Sequence, residues 1–424
     1  MANHTVGNAG ELYQALAQGG EITVNGELAG LQAFTLPAGS VLKGSNGCVL
    51  KFKAGQPGIS LAADTRLENL RVETDAALIA VGLDDAHEDL GRIAVSGVTT
   101  VGRFHLEAAQ ALRADIALRD IHVEQADARM AAHRPAGFGV EVLLGAVSVY
   151  NFSKNPASRW QLTAENLSCG SKAQPVRGSG IYVFGGDYIP ADADLSAAPA
   201  PTQAGGKIEV ALLSTGEIHA DGGIAAGTPN LITGGVFLGS GAHAVKVENL
   251  GAVTTYGIND MVLDNWGSCE HWLAKQNITS FNTSGIGFVN FGDLQELQIL
   301  APIETHGIGA RGFNLYDGKL QSATFQSITT YGNGAVGIQL SKPFGRITVN
   351  ENITTKGGEG ESLVRGKIVH LKAHGISLKP GTKGDALIVQ GTVNAEGAGI
   401  PAYEFVAAPD VIARFEVGGK KPQA

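Results

Sequence analysis

The chain repeats itself every 25 residues. Val253-Thr254-Thr255, Ile278-Thr279-Ser280, Ile303-Glu304-Thr305, Ile328-Thr329-Thr330 and Ile353-Thr354-Thr355 open five successive units at that constant interval. A unit so short has too little apolar surface to fold by itself, so its copies must stack and share one core. Ten residues after each opening Val or Ile stands a large apolar residue: Leu263, Phe288, Phe313, Ile338 and Leu363. Two residues after it stands a small hydroxyl: Thr255, Ser280, Thr305, Thr330 and Thr355. Each unit reads as a strand, a glycine-rich turn, a second strand, a turn and a weaker third strand, as in Gln298-Ile299-Leu300 and Arg346-Ile347-Thr348-Val349. Helical solenoids need longer periods, roughly 33–47 residues, with apolar residues four apart. The predicted fold is all-β: a single-stranded right-handed parallel β-helix of 25-residue coils, three strands per coil, with neighbouring coils about 4.8 Å apart.

Composition agrees. Glycine supplies 59 of 424 residues without a Gly-X-Y period, proline only 15, and charged residues 17 %. That balance suits short strands and tight turns rather than collagen or long helices. The N-terminal half obeys the repeat less strictly, in Leu70-Arg71-Val72, Ile93-Ala94-Val95, Ile121-His122-Val123 and Val140-Glu141-Val142. At the start, Leu12, Ala15 and Leu16 make one apolar helical face, Gly19-Gly20 ends it and Ile22-Thr23-Val24 begins a strand. Residues 1–20 are therefore expected to cap the open end of the solenoid, as terminal units must. One β-helix domain is expected over 1–424, with a patternless inserted loop at 186–206 and a flexible tail at 418–424. The net charge of −9 is spread without a basic stripe, so no nucleic-acid partner is expected. No run of about 18 apolar residues points to a membrane. Cys48, Cys169 and Cys269 are odd in number and far apart, which predicts free, buried thiols. No basic start followed by an apolar stretch marks a signal peptide. A cytoplasmic chain is expected as the sequence stands, and a secreted one if a leader has been trimmed.

The stretch GELYQALAQGGEITVNGEL, followed by FTLPAGSVLKGSNGCVLKF, resembles the opening coils of pectate-lyase-like right-handed parallel β-helix proteins. In these a capping helix precedes an Ile-x-Val-x-Gly strand and a Leu-x-Gly coil. The likeness is detailed only over those coils and continues as a periodicity. It implies the fold and carries no catalytic residue across, because such folds serve lyases, hydrolases, transferases, tailspikes and adhesins alike.

GxSxG, HExxH and GxxxxGK[ST] are missing, which removes the commonest nucleophile-elbow, zinc-protease and P-loop readings. Missing too are the paired Asp-Asp and Gly-His-Gly signature of polygalacturonase-type hydrolases, the Trp-Ile-Asp-His signature of pectate lyases and a calcium-binding aspartate cluster. Uronate chemistry is disfavoured, and neither a cofactor nor a metal site is expected. The run Asp84-Asp85-Ala86-His87-Glu88-Asp89 reads as a solvated turn between coils. His370 and His374 share a strand face about 13 Å apart, too far for one metal.

Strand alternation points the Leu263 column inward and the residues three later outward: Trp266, Phe291 and Tyr316. Asp264, Val289 and Asn314 fall in the same outward set, with Asp260, Asn265, Glu270 and Asp317 nearby. An aromatic strip flanked by carboxylates and amides suits a sugar chain. Equally, rings in register stabilise neighbouring strands or fill a subunit interface. Asp260 and Asp264 stand where sister units place Gly, Ala, Val, Asn or Gln, and a departure of this kind suggests function. The expected function is a carbohydrate-active enzyme, of glycoside hydrolase or glycosyl-transferring type, acting on an oligo- or polysaccharide. Asp264, Asp317, Glu270 and Asp260 are the expected catalytic carboxylates, and Trp266, Phe291, Tyr316, Asn265 and Asn314 the expected substrate contacts. Asp264 and Asp317 are two coils apart, about 10 Å by strand spacing. That is too far for a retaining pair, at about 5–5.5 Å, and marginal for an inverting one, at about 6.5–9.5 Å. The alternatives are a non-catalytic glycan-binding or adhesin-like solenoid, and a structural protein whose strip joins the subunits of a homo-oligomer.

Overall fold

The computed structural model describes residues 2–45, 47–186, 204–364 and 367–422. Short parallel strands stack coil upon coil into a solenoid. Val253, Ile278, Ile303, Ile328 and Ile353 are successive register partners, and so are Leu263, Phe288, Phe313 and Ile338. Each unit contributes three strands, such as Ile278–Ser280, Ile286–Asn290 and Asp293–Ile299. The first and third join one large sheet and the second joins another. Both columns lie in a continuous core that extends from Val6 to Phe415. The helix Ala9–Gln18 buries Leu12, Ala15 and Leu16 at the N-terminal end. Asn8 caps it by accepting the Glu11 N–H, and Gly19, at φ 67°, ends it.

In the N-terminal half single long strands, such as Asp89–Val101, Arg113–Gln125 and Arg159–Cys169, run through two faces. These strands and Arg66–Glu73 share a left-handed residue at one bend: Asn69, Gly97, Asp120 and Asn166 have φ of 53°, 64°, 52° and 55°. Their neighbours pair in register, so the four form a column at one corner. Asn, Asp and Gly are the residues that tolerate this conformation, and Asn166 Nδ2 also donates to Asp120 Oδ1 at 2.7 Å. In the second sheet, alternation fails once per unit. Gly287, Gly312 and Gly337 face inward beside the Phe288 column, where a Cβ on Gly312 would meet Ile328 Cγ2 at 2.2 Å. Glycine lets the second strand approach the opening strand this closely.

The fifth unit departs from the expectation. Leu363 does not join the inner column; Ile376 pairs with Ile338 in its place. The interval between coil openings rises there from 25 to 40 residues, with Ile353 opposite Val393. An antiparallel hairpin, Glu359–Val364 with Lys367–Lys372, leaves the coil at that point. Another excursion, Ala136–Gly137 with Val140–Val142, leaves an earlier coil. Leu363, Val140 and Val142 pack with Tyr182, Phe237 and Met261 in a second apolar cluster outside the solenoid wall. The three cysteines are free and buried. Among the described residues no helix is long and apolar enough to cross a membrane. The loop expected at 186–206 and the end of the tail expected at 418–424 lie largely or partly outside the described residues.

Candidate functional site

The expected outward direction holds, and the expected exposure does not. Tyr182, Phe237, Asp264, Val289, Asn314 and Gln339 form one outer column in register. Yet Trp266 is only 3 % exposed and Tyr316 only 7 %. Phe138, from the earlier excursion, lies over Trp266 and Phe291 at 5.1 and 4.4 Å between ring centres. Leu363 packs into the same cluster. The rings also meet one another: Phe291 stacks on Tyr316 at 4.9 Å, and Trp266 sets its edge against Phe291 at 5.7 Å. The surface strip is thus corrected to a roofed layer. Its cause is the hydrophobic effect acting on a contiguous aromatic face, which the two non-periodic excursions cover.

Beneath the roof lies a cavity of about 40 Å³, walled by Asp264, Met261, Ile286, Val289, Phe291 and Tyr316 among others. It is large enough to hold water. Asp264 is fully buried, and among the described residues neither carboxyl oxygen finds a well-formed hydrogen bond. Burial pushes its carboxyl well above the usual carboxylate range, and the nearby Trp266 indole offsets this only in part. Burial therefore favours the neutral acid.

The other expected carboxylates are dispersed. Asp260 is fully buried beside a turn, where it accepts the N–H groups of Gly222 and Gly257 at 3.1 and 2.7 Å and the hydroxyl of Thr233. Burial raises its carboxyl to about 7 against the pull of those bonds. Glu270 sits on the first sheet, 3.4 Å from His243 Nε2. Asp317 accepts the Gly318 N–H and pairs with Lys342 Nζ, both at 2.9 Å. Asn265 faces inward, in register with Leu238, and donates to Asn290 at 2.8 Å, so it is not on the outer face. Asn314 lies on the outer face, fully buried, with neither amide atom bonded to a described residue. Asp264, Trp266, Phe291 and Tyr316 come together, and among the described residues the cavity wall contributes no second carboxylate.

Three further features carry chemical side chains. Arg311 stands in the outer column of Ile286 and Val336 and is fully buried; a cation amid apolar sister residues is visible in the repeat itself. Tyr256, Phe281, His306 and Tyr331 form a second 25-residue column, stacked at 5.5, 4.9 and 4.4 Å and capped by Lys356 Nζ at 4.8 Å. Its rings use their faces on one another and turn edges to solvent, so the ladder stabilises the coils and offers a sugar no free face. Finally, Ser148 Oγ lies 3.3 Å from His105 Nε2, with Glu107 Oε1 4.0 Å from Nδ1. His105 Nε2 is also 2.7 Å from the Gly145 carbonyl, which only accepts. That nitrogen therefore carries the proton and cannot take one from Ser148.

Open depressions lie elsewhere. One of about 540 Å³ crosses several coils of the first sheet, past Asp293, Gln295, Lys319, Gln321 and Asp385. Among the described residues no group of three His, Cys, Asp or Glu side chains could hold a metal. In the Asp84–Asp89 turn, Asp85 accepts the backbone N–H groups of Ala109, Gln110 and Ala111. No protein-family model matches this chain, and neither a curated protein nor a solved structure matches it.

Proposed function

We propose that the chain recognises a carbohydrate in the chamber over the second sheet, and that Asp264 meets it as a neutral acid. The observation that carries this reading is the fully buried Asp264 carboxyl, without a well-formed hydrogen bond, facing a cavity with aromatic walls. Such a group costs stability and serves neither a turn nor the repeat. Aromatic faces beside an acid that both donates and accepts suit a pyranose or furanose ring. The roof on the Leu363 side is lightly held: of its two strands only Ser362 and Leu363 are buried. Ser362 Oγ donates to the Gly309 carbonyl at 2.6 Å, and the Leu363 N–H to Ser284 Oγ at 3.0 Å. A segment with so few buried contacts belongs to the low-stability part of a fold, and its opening would enlarge the chamber. Two-carboxylate hydrolysis needs a partner acid, which the described residues of the cavity wall do not supply, so the reading is recognition rather than hydrolysis. The likeness of the first coils to pectate-lyase-like proteins agrees with a glycan ligand and supports no residue role.

A second reading rests on the open groove of the first sheet. Asp293 pairs in register with Lys319, and Gln295 and Gln321 follow two residues later. A polysaccharide lying along the axis would meet an amide at each of these coils. A binding screen against neutral and acidic oligosaccharides, repeated with Asp264→Asn and Gln321→Ala, separates the two. The chamber reading predicts about tenfold weaker binding for Asp264→Asn, the worth of one good hydrogen bond, and no change for Gln321→Ala. The opposite pattern moves the site to the groove, and a wild-type chain that binds no oligosaccharide retires both.

A further inference from the structure

Arg311 is a buried charge without a counter-charge among the described residues. Its side chain is fully buried. Nε donates to Gln339 Oε1 at 3.3 Å, and Nη1 to the Gly309 carbonyl at 3.3 Å and Ser362 Oγ at 2.8 Å. Every one of these partners is neutral. Among the described residues Nη2 has no hydrogen-bond partner, and neither has either amide atom of Asn314. Asn314 is the register neighbour of Gln339, so the guanidinium reaches the column that holds the unbonded amide. Burial pulls the guanidinium down only to about 10, which leaves it cationic at neutral pH. A carboxyl in such surroundings can take up a proton, whereas this cation keeps its charge and needs an anion.

We propose that a small monoanion binds between Arg311 Nη2 and the Asn314 amide, beneath Ser362, and so ties the Leu363 hairpin to the solenoid wall. The class is a monoanion because the site offers one positive charge and otherwise neutral donors. A halide and the carboxylate of a small organic acid share that chemistry. This site stands whether or not a sugar enters the chamber.

The test is thermal unfolding of the full chain at constant ionic strength, with gluconate exchanged stepwise for chloride, bromide or formate. A saturable rise in Tm is expected in at least one series, through preferential binding to the folded state, and it should be absent in Arg311→Met. A rise with halides alone identifies a free halide; a rise with formate alone identifies a carboxylate. Asn314→Leu keeps the cation and should move the midpoint to about tenfold higher anion concentration; it replaces Arg311→Met as the control if that variant does not fold. Crystals grown in bromide, if the halide series responds, should show anomalous density within hydrogen-bond distance of Nη2. Equal melting in gluconate and in all three anions, or the same anion dependence in Arg311→Met, would overturn the proposal.

Discussion

Asp264 and Arg311 meet the same difficulty in opposite ways. Both are fully buried, and among the described residues neither faces an opposite charge. Burial favours the protonated form of the carboxyl, whereas the guanidinium stays cationic at neutral pH. This has a consequence for stability. Asp264 and Asp260 are both raised by burial, Asp260 to about 7, while an unfolded aspartate titrates near about 3.9. A raised folded-state pKa contributes stability that is complete below the unfolded value and is lost as pH rises through the folded one. For Asp260 that window runs from about 4 to about 7. Asp264→Asn removes one such titration. The variant should melt higher than wild type at pH 8, with the advantage gone at pH 4 and below. Thermal melts across that range check it, and a pH-independent difference would mean that Asp264 is not held neutral.

At the scale of elements, the inner columns carry the fold. Phe313 is fully buried between Phe288 and Ile338, and Phe313→Ala should cost about 3–5 kcal/mol in denaturant unfolding. A cost below about 1 kcal/mol would place the ring outside the core. These columns were legible because every coil meets the same surroundings, so a constant interval maps onto a constant environment. The grouping of Asp264, Trp266, Phe291 and Tyr316 was legible for the same reason, through side-chain alternation. Their burial was not, since it depends on excursions that share no column with the repeat. Leu363 shows the failure plainly. Counting in steps of 25 puts it inside, yet the chain has already left the coil and the residue packs on the outer side of the wall. Arg311 was visible as a break in an apolar column, but that no described residue gives it a counter-ion is a fact of three dimensions. The left-handed corner of Asn69, Gly97, Asp120 and Asn166 was readable in residue type but hidden by unequal spacing.

At the scale of the whole molecule, a solenoid is a one-dimensional stack in which each coil contacts its neighbours, so its sides are long and open by default. Here two excursions close one side over a cavity faced by the buried Asp264 carboxyl, and the closure separates this chain from a plain β-helix with an exposed aromatic strip. The Leu363 hairpin is a clean target. Removing residues 359–372 shortens the 40-residue interval by 14, to 26, close to the 25-residue repeat. A ligand that binds only while the roof is open binds wild type with an affinity reduced by the open fraction. The deciding measurement is titration calorimetry of the best oligosaccharide from the screen against wild type and the hairpin deletion, with both shown to melt cooperatively. Tighter binding by the deletion is the predicted result; unchanged or weaker binding would contradict a gated chamber at Asp264.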